Sequence, residues 1–366
     1  MAWIVSRYTC LIAVLGCFAC AVPKSDPWIV EANRATGDGD IRILLLHDME
    51  GLSGQTNPLT FRYGTKEYAQ GQERLIADVN AVVAGLFDGG ADVVDIADAH
   101  GSGNPQPDLL LDRLDPRARH IMLDHPFNPY TEFARPGAYD GVAVVGMHAK
   151  SGSGGFAAHT WSIGIRIHVG DRSLTEAELV ALSFGDVGIP LIFASGDDRL
   201  ARDIAHLDWV EYVTTKHSNN AWSARALPLD GVERDLRQSA AEAVRNRLQA
   251  KVIKLDWPVD AKIEAVSPSD LSFLNVLQGV GYQDGGISFD AENPDDFFDH
   301  TTKIIGLANI GLNRHAVQAT QQLSPLEQAM VNQGFRVSDV LWLNAESGIL
   351  RKAAPTTRQQ NYGGAQ

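Results

Sequence analysis

Asp48 and Glu50 stand two residues apart directly after the apolar run at 41–46, with Gly51 following. A buried strand that ends this way aims two carboxylates from the mouth of a sheet, beside a residue that lets the backbone turn. Two such charges are costly to hold close together unless a cation lies between them. The pattern points to a divalent metal, and other strand ends offer matching ligands. Asp98-Ala99-His100-Gly101 follows the short apolar run at 91–96, and Met147-His148 follows the run at 142–146. A lone histidine after a strand is more often structural than a ligand. Agreement between topology and chemistry at three strand ends carries more weight than any one residue.

The elements that must position these groups alternate. Leu75, Val79, Val82, Val83 and Leu86 recur at helical spacing, predicting a helix over about 66–87 that Gly89-Gly90 ends. Strands are expected at 41–46, 91–96, 142–146, 163–169 and 190–194, with a helix over 174–184 and a long amphipathic one over 233–251. The fold class is therefore α/β: a mainly parallel or mixed sheet with helices on both faces, in which ligands gather beyond the carboxyl ends of the strands. Beyond residue 258 the pattern weakens. Strands at 262–266 and 286–289 and helices at 294–308 and 323–334 read as a smaller α+β part. The expected organisation is an export segment over 1–22, a linker over 23–40, a main metal-binding domain over 41–258, a C-terminal subdomain over 259–353 and a disordered tail over 354–366. No repeat and no glycine-rich phosphate loop stands out.

The 366 residues carry a formal net charge of -14, from 31 basic and 45 acidic side chains. That balance argues against nucleic acid as a partner, which needs a basic surface. Residues 1–22 carry Arg7 as their only charge ahead of an apolar stretch too short for a comfortable membrane span. Ala19-Cys20-Ala21 offers a signal-peptidase site, giving a periplasmic or secreted protein. Val14-Leu15-Gly16-Cys17 equally resembles a lipobox, which would anchor the chain to a membrane through Cys17. Cys10, Cys17 and Cys20 are the three cysteines of the chain. Cleavage after Ala21 leaves no thiol, so a metal site must be built from His, Asp and Glu.

Further elements appear in order: Asp48-Met49-Glu50-Gly51-Leu52-Ser53-Gly54, Asp98-Ala99-His100, Gly146-Met147-His148-Ala149-Lys150, His159, Gly170-Asp171-Arg172 with Glu176, and Ser195-Gly196-Asp197-Asp198. Together they resemble the M55 family of zinc D-aminopeptidases, the DppA-like peptidases, from about residue 41 to 198 and on through Lys216 to about 229. The resemblance implies two zinc ions per subunit, held by Asp48, Glu50, His100, His148 and Glu176, with His159 at the position of the catalytic histidine. It implies removal of N-terminal D-amino acids, D-alanine above all, from short peptides, and a homo-oligomer. Asp48 is the candidate bridge between the ions, being nearer the strand and shorter. His159 follows a flexible segment, Ser151-Gly152-Ser153-Gly154-Gly155, and is assigned general acid/base work or stabilisation of an oxyanion.

Lys150 and Lys216 match basic positions of that family and could meet a substrate carboxylate; a surface lysine is the plain alternative. Asp98, two residues before a proposed ligand, could orient His100. Glu176 competes with Glu178, since either could simply favour a helix start. Asp197-Asp198 reads as a helix cap, and His47 as structural, because alternation turns it away from Asp48. Two rival readings remain: a metal-dependent amidohydrolase whose substrate is not a D-peptide, and an exported metal- or solute-binding protein without turnover.

Overall fold

Ile43, Leu44, Leu45 and Leu46 are all wholly buried, and alternation along the strand sends them to two different cores. Ile43 and Leu45 join one apolar cluster, Leu44 and Leu46 the other. That double burial explains why the run is continuously apolar instead of alternating. Truncating one of these leucines to alanine would cost roughly 2–5 kcal/mol. The computed structural model describes residues 26–34, 39–125, 127–276 and 281–349. The expected export segment with its three cysteines and the expected tail over 354–366 lie outside the described residues.

The chain runs through β1 (Trp28–Ala32), β2 (Arg42–His47), α1 (Tyr68–Asp88), β3 (Val93–Asp98), β4 (Arg119–His120) and β5 (Gly141–Met147). Next come β6 (Ile165–Val169), β7 (Arg172–Ser173), α2 (Glu176–Asp186), β8 (Leu191–Asp197) and α3 (Asp198–Asp203). The hairpin β9 (Glu211–Asn220) and β10 (Ser223–Ala226), then α4 (Leu229–Asn246) and β11 (Lys251–Leu255), follow. The last part holds β12 (Val259–Ala265), β13 (Tyr282–Gln283), β14 (Gly286–Ala291), α5 (Pro294–Thr320), α6 (Pro325–Asn332) and α7 (Val337–Glu346).

The main sheet has seven strands in the order β10-β9-β8-β5-β2-β3-β4. All its pairs are parallel except β10 on β9. From β2 the chain steps outward to β3 and β4, then returns to the other side of β2 with β5. The order reverses between β2 and β5, and ligands bind at the carboxyl ends of such a switch point. Asp48 and His148 follow the two strands that flank it. Helices α1 and α4 pack together on one face of the sheet, and α2 takes part in the core on the other.

That second face also meets a five-stranded sheet, β13-β14-β12-β6-β7. Here β12 pairs antiparallel with β6, Ile263 opposite Ile167, and with β14, Ile263 opposite Ile287. A boundary at residue 258 would cut this sheet and its core, so the part expected as a separate subdomain over 259–353 instead completes the first. The expected linker also contains structure: β1 pairs antiparallel with β11. The α/β class stands, and the sequence reading passed over β9–β10, β11 and α7. Among the described residues no helix is long and apolar enough to cross a membrane.

Candidate metal centre

The turn after β2 is sewn to the end of β5. Asp48 N–H donates to Val145 O at 2.9 Å, and Gly51 N–H donates to Gly146 O at 2.6 Å. A Cβ on Gly51 would stand 1.8 Å from Met147 O, and Gly146, at φ +77°, would place one 2.4 Å from Asp48 O. Two backbones lie on one another here, which only glycine permits. Beneath the turn, Ser53 donates its N–H and hydroxyl to the buried Asp78 carboxylate. Lys216, wholly buried on β9, gives its ammonium to Glu50 O and Gln55 O and lies 4.6 Å over the Phe156 ring. Burial brings the Lys216 amine down to about 7.

Lys216 is thus not a surface residue; it braces the Asp48–Gly51 turn from below. Lys150 is not where a substrate contact was expected. Its amine donates to Ser173 O at 3.0 Å and lies 3.9 Å from Asp203.

Two groups of possible metal ligands converge above the turn: Asp48, Glu50 and His100, and His148, His159 and Glu176, with ligand atoms in each within 4.8 Å of one another. His100 Nε2 lies 3.4 Å from Glu50 Oε1. His148 Nε2 lies 3.5 Å from Asp48 Oδ2 and 3.6 Å from Glu176 Oε1. Asp48 therefore touches both groups. His159 Nε2 lies 3.8 Å from the same Glu176 oxygen. All three carboxylates and His148 are buried. Asp48 Oδ2, Glu50 Oε2 and His148 Nε2 make no hydrogen bond within the protein, which is costly for buried groups unless a cation takes their lone pairs.

The histidine rings are oriented for that. His148 Nδ1 faces Ala149 O at 2.9 Å and His159 Nδ1 faces Ala157 O at 2.9 Å. A carbonyl can only accept, so both rings donate from Nδ1 and turn Nε2 inward. His100 Nδ1 donates to Asp108 Oδ2 at 3.1 Å. Asp108 is buried, and its other oxygen accepts from Tyr68 and, at 2.6 Å, from Ser102. The carboxylate that orients His100 is therefore Asp108, not Asp98 as expected. Asp98 accepts the His100 backbone N–H at 2.8 Å and faces His47 at 3.8 Å. His47 is buried on the far side of the strand, stacked near His120.

Glu176 and Glu178 separate cleanly. Glu178 forms a capping box with Thr175 at the start of α2 and pairs with Arg172 at 2.6 Å. Glu176 instead turns into the site and accepts Trp161 N–H at 2.6 Å. Asp197 caps α3 as expected, accepting from Arg199 and Leu200. Tyr130, which the sequence reading missed, is buried against Trp161 with ring centroids 4.8 Å apart and lies close enough to Glu176 to feel its charge. It comes from a loop that carries no motif.

The electrostatics show what metal-free protein must do with so many buried charges. Burial, then Glu50, carries the Asp48 carboxyl well above its ordinary range. Burial opposes ionisation of Glu50 too, but His100, then His159 and His148, hold it well below. Burial resists protonation of His100, yet Glu50, Asp108 and Asp48 raise it well above the ordinary value. Burial and the neighbouring His148 bring His159 down to about 4. Burial, with Glu176 and Asp48, pushes the Tyr130 phenol up, so it stays protonated. Protons neutralise the cluster here; bound cations would displace them.

A relative from Bacillus subtilis (strain 168), a D-aminopeptidase, is 26% identical over 251 residues, covering 67% of this chain and 89% of its own length. Among solved structures, the Zn-dependent D-aminopeptidase DppA from Bacillus subtilis, a self-compartmentalizing protease, matches with a TM-score of 0.65 at 22% identity. The match covers 73% of this chain and 98% of that one. The family model of the M55 peptidases, described as D-aminopeptidase, matches residues 41–302, well over half of the chain. The chain belongs to the M55 peptidase family, the D-aminopeptidases, and is a metallo-aminopeptidase.

Proposed function

We propose that this metallo-aminopeptidase uses two zinc ions to remove N-terminal D-amino acids, D-alanine foremost, from short peptides. The observation that carries the proposal is the inward convergence of three histidine Nε2 atoms on three buried carboxylates, with Asp48 in contact with both ligand groups. Imidazole nitrogen and carboxylate oxygen are a donor set that suits zinc, and the structural neighbour's zinc dependence supports that choice. Asp48, Glu50 and His100 would hold one ion; Asp48, His148 and Glu176 the other. Two such ions would polarise the scissile carbonyl and make a water acidic enough to attack at neutral pH.

His159 is then left over for proton transfer. Its Nδ1–H is fixed on Ala157 O, and at about 4 its Nε2 is unprotonated at neutral pH. It can accept the proton that an attacking water gives up, and return it to the leaving amine as the C–N bond breaks. Trp161 N–H keeps Glu176 in place, and the protonated Tyr130 phenol lies beside it. Trp161, packed against Tyr130, closes in around Glu176, and Trp342 around His159.

Preference for the D-isomer is supported by the family and by the relatives' names. The self-compartmentalizing relative supports a homo-oligomer, and the composition of residues 1–22 supports export, where cell-wall fragments would supply D-alanyl peptides. The test is hydrolysis of D-Ala p-nitroanilide and D-Ala-D-Ala beside their L-isomers, with and without a chelator, together with metal analysis. Preferential turnover of the D-isomers, lost on chelation, with two zinc ions per chain, is the expected result. Turnover of the L-isomers alone would instead favour an amidohydrolase with another substrate.

A further inference from the structure

Helix α7 lies beyond residue 302, where the family match ends, yet it reaches the metal centre. Trp342 is among the largest wholly buried side chains. Its indole N–H donates to Ala158 O at 2.9 Å, and its ring meets the His159 ring edge-on at 5.2 Å. One turn further on, Glu346 accepts from the Ser151 hydroxyl at 2.6 Å and from Gly152 N–H at 2.7 Å. These contacts grip the two ends of the segment that joins His148 to His159. That segment turns through Gly152 and Gly154 at φ +85° and +68°, positions that fix no geometry by themselves. The other end of α7 is tied down separately, by Asp339 to Arg62 at 2.6 Å.

We infer that α7 is a brace lying beyond the region the family model matches, in which Trp342 and Glu346 are positioning residues that set His159 over the metal ligands. Trp342 fixes the carbonyl one residue before His159 and bars one side of its ring. Glu346 fixes the start of the loop. Reacting groups displaced by about 1 Å can lose on the order of 100-fold in rate, so the brace acts on kcat and leaves both metal affinity and KM alone. The inference rests on the proposed role of His159.

The experiment uses full-length, metal-loaded protein carrying Trp342→Phe, which keeps a ring against His159 but has no N–H for Ala158, or Glu346→Ala. Asp339→Asn serves as the control that loosens α7 at its far end. For each, kcat and KM on D-Ala p-nitroanilide, zinc content, melting temperature and the rate of His159 carbethoxylation mapped by mass spectrometry are measured. Expected for Trp342→Phe and Glu346→Ala is a fall in kcat of about tenfold or more with KM and zinc unchanged and faster His159 modification, while Asp339→Asn lowers only the melting temperature. Unchanged kcat and unchanged His159 reactivity in both variants would overturn the inference. So would equal losses in Asp339→Asn, which would mark α7 as general support. Should the wild-type protein turn over no D-substrate, the functional reading fails, and His159 reactivity alone still decides whether α7 is a brace.

Discussion

His148 and His159 stack face to face, ring centroids 4.0 Å apart and planes 14° from parallel, with both Nε2 atoms near one oxygen of Glu176. Proximity makes simultaneous protonation unfavourable, which helps bring His159 down to about 4 once burial has acted. The same proximity makes the division of labour between the two rings a matter of which one Asp48 serves. Asp48 Oδ2 is 3.5 Å from His148 Nε2, and that contact completes a ligand set without His159.

Substitution separates these roles. Asp48→Ala removes the one carboxylate that, among the described residues, touches both groups, and should strip most of the zinc. His159→Ala should keep as many ions as the wild type and lose roughly 100- to 10,000-fold in kcat, the usual worth of positioned acid–base catalysis. Elemental analysis beside steady-state kinetics checks both. Loss of one ion from His159→Ala would make His159 a further ligand beside Asp48, His148 and Glu176.

Asp108 fixes the ring of His100 and has both oxygens occupied. Partners of this kind orient a metal-bound imidazole and raise its basicity, and their loss typically weakens metal binding by about 10- to 100-fold. Asp108→Asn should therefore lower zinc affinity in a chelator competition by that amount. Asp98→Asn, whose carboxylate serves a backbone N–H instead, should leave the affinity within about twofold of wild type. The reverse ranking would restore Asp98 to the role its sequence position suggested.

Much of this site was legible in the sequence, and the limits have physical causes. Asp48, Glu50, His100 and His148 announce themselves because strand runs and strand-end residues are local patterns. Asp108 stands in a loop of Gly, Ser, Asn and Pro that has no period, and its bond to His100 is made by the fold. Trp342 reaches Ala158 across 184 residues of chain, in a helix the pattern did not reveal. Lys216 was misread for a related reason. It lies on β9, a strand missed because only part of it is buried, so nothing marked this lysine as an internal brace. The division at residue 258 failed because β6 and β12 share a sheet whose pairing is long-range.

Gly51 tests the backbone-on-backbone contact. Any side chain there would drive a Cβ to 1.8 Å from Met147 O, with Gly146 C at 2.6 Å. No rotamer relieves a clash between main chains, so β5 and the turn must part. Gly51→Ala should destabilise the fold by roughly 3 kcal/mol or more, read from urea unfolding, and should weaken zinc binding, since Asp48 and Glu50 flank the displaced turn. Gly154→Ala has open space around its Cβ and should cost only the strain of its positive φ, about 1–2 kcal/mol.

Asp78 supplies a pH signature independent of the metal ligands. Its carboxyl is wholly buried on α1, and burial lifts it from 3.8 to about 6, although Ser53 donates to it twice. The folded state therefore holds this proton over a range in which the unfolded chain has released it. Stability from this group is fully present below about 3.8 and is lost as pH rises through about 6. The distance between those values is worth roughly 3 kcal/mol. Asparagine cannot titrate, so Asp78→Asn removes the dependence. With metal stripped from both proteins, urea unfolding from pH 4 to 7 should show the stability of wild type relative to Asp78→Asn falling by up to that amount as pH rises. A difference that stays constant across the range would mean that Asp78 keeps its charge in the fold, with Lys216 and Arg74 as its counter-charges.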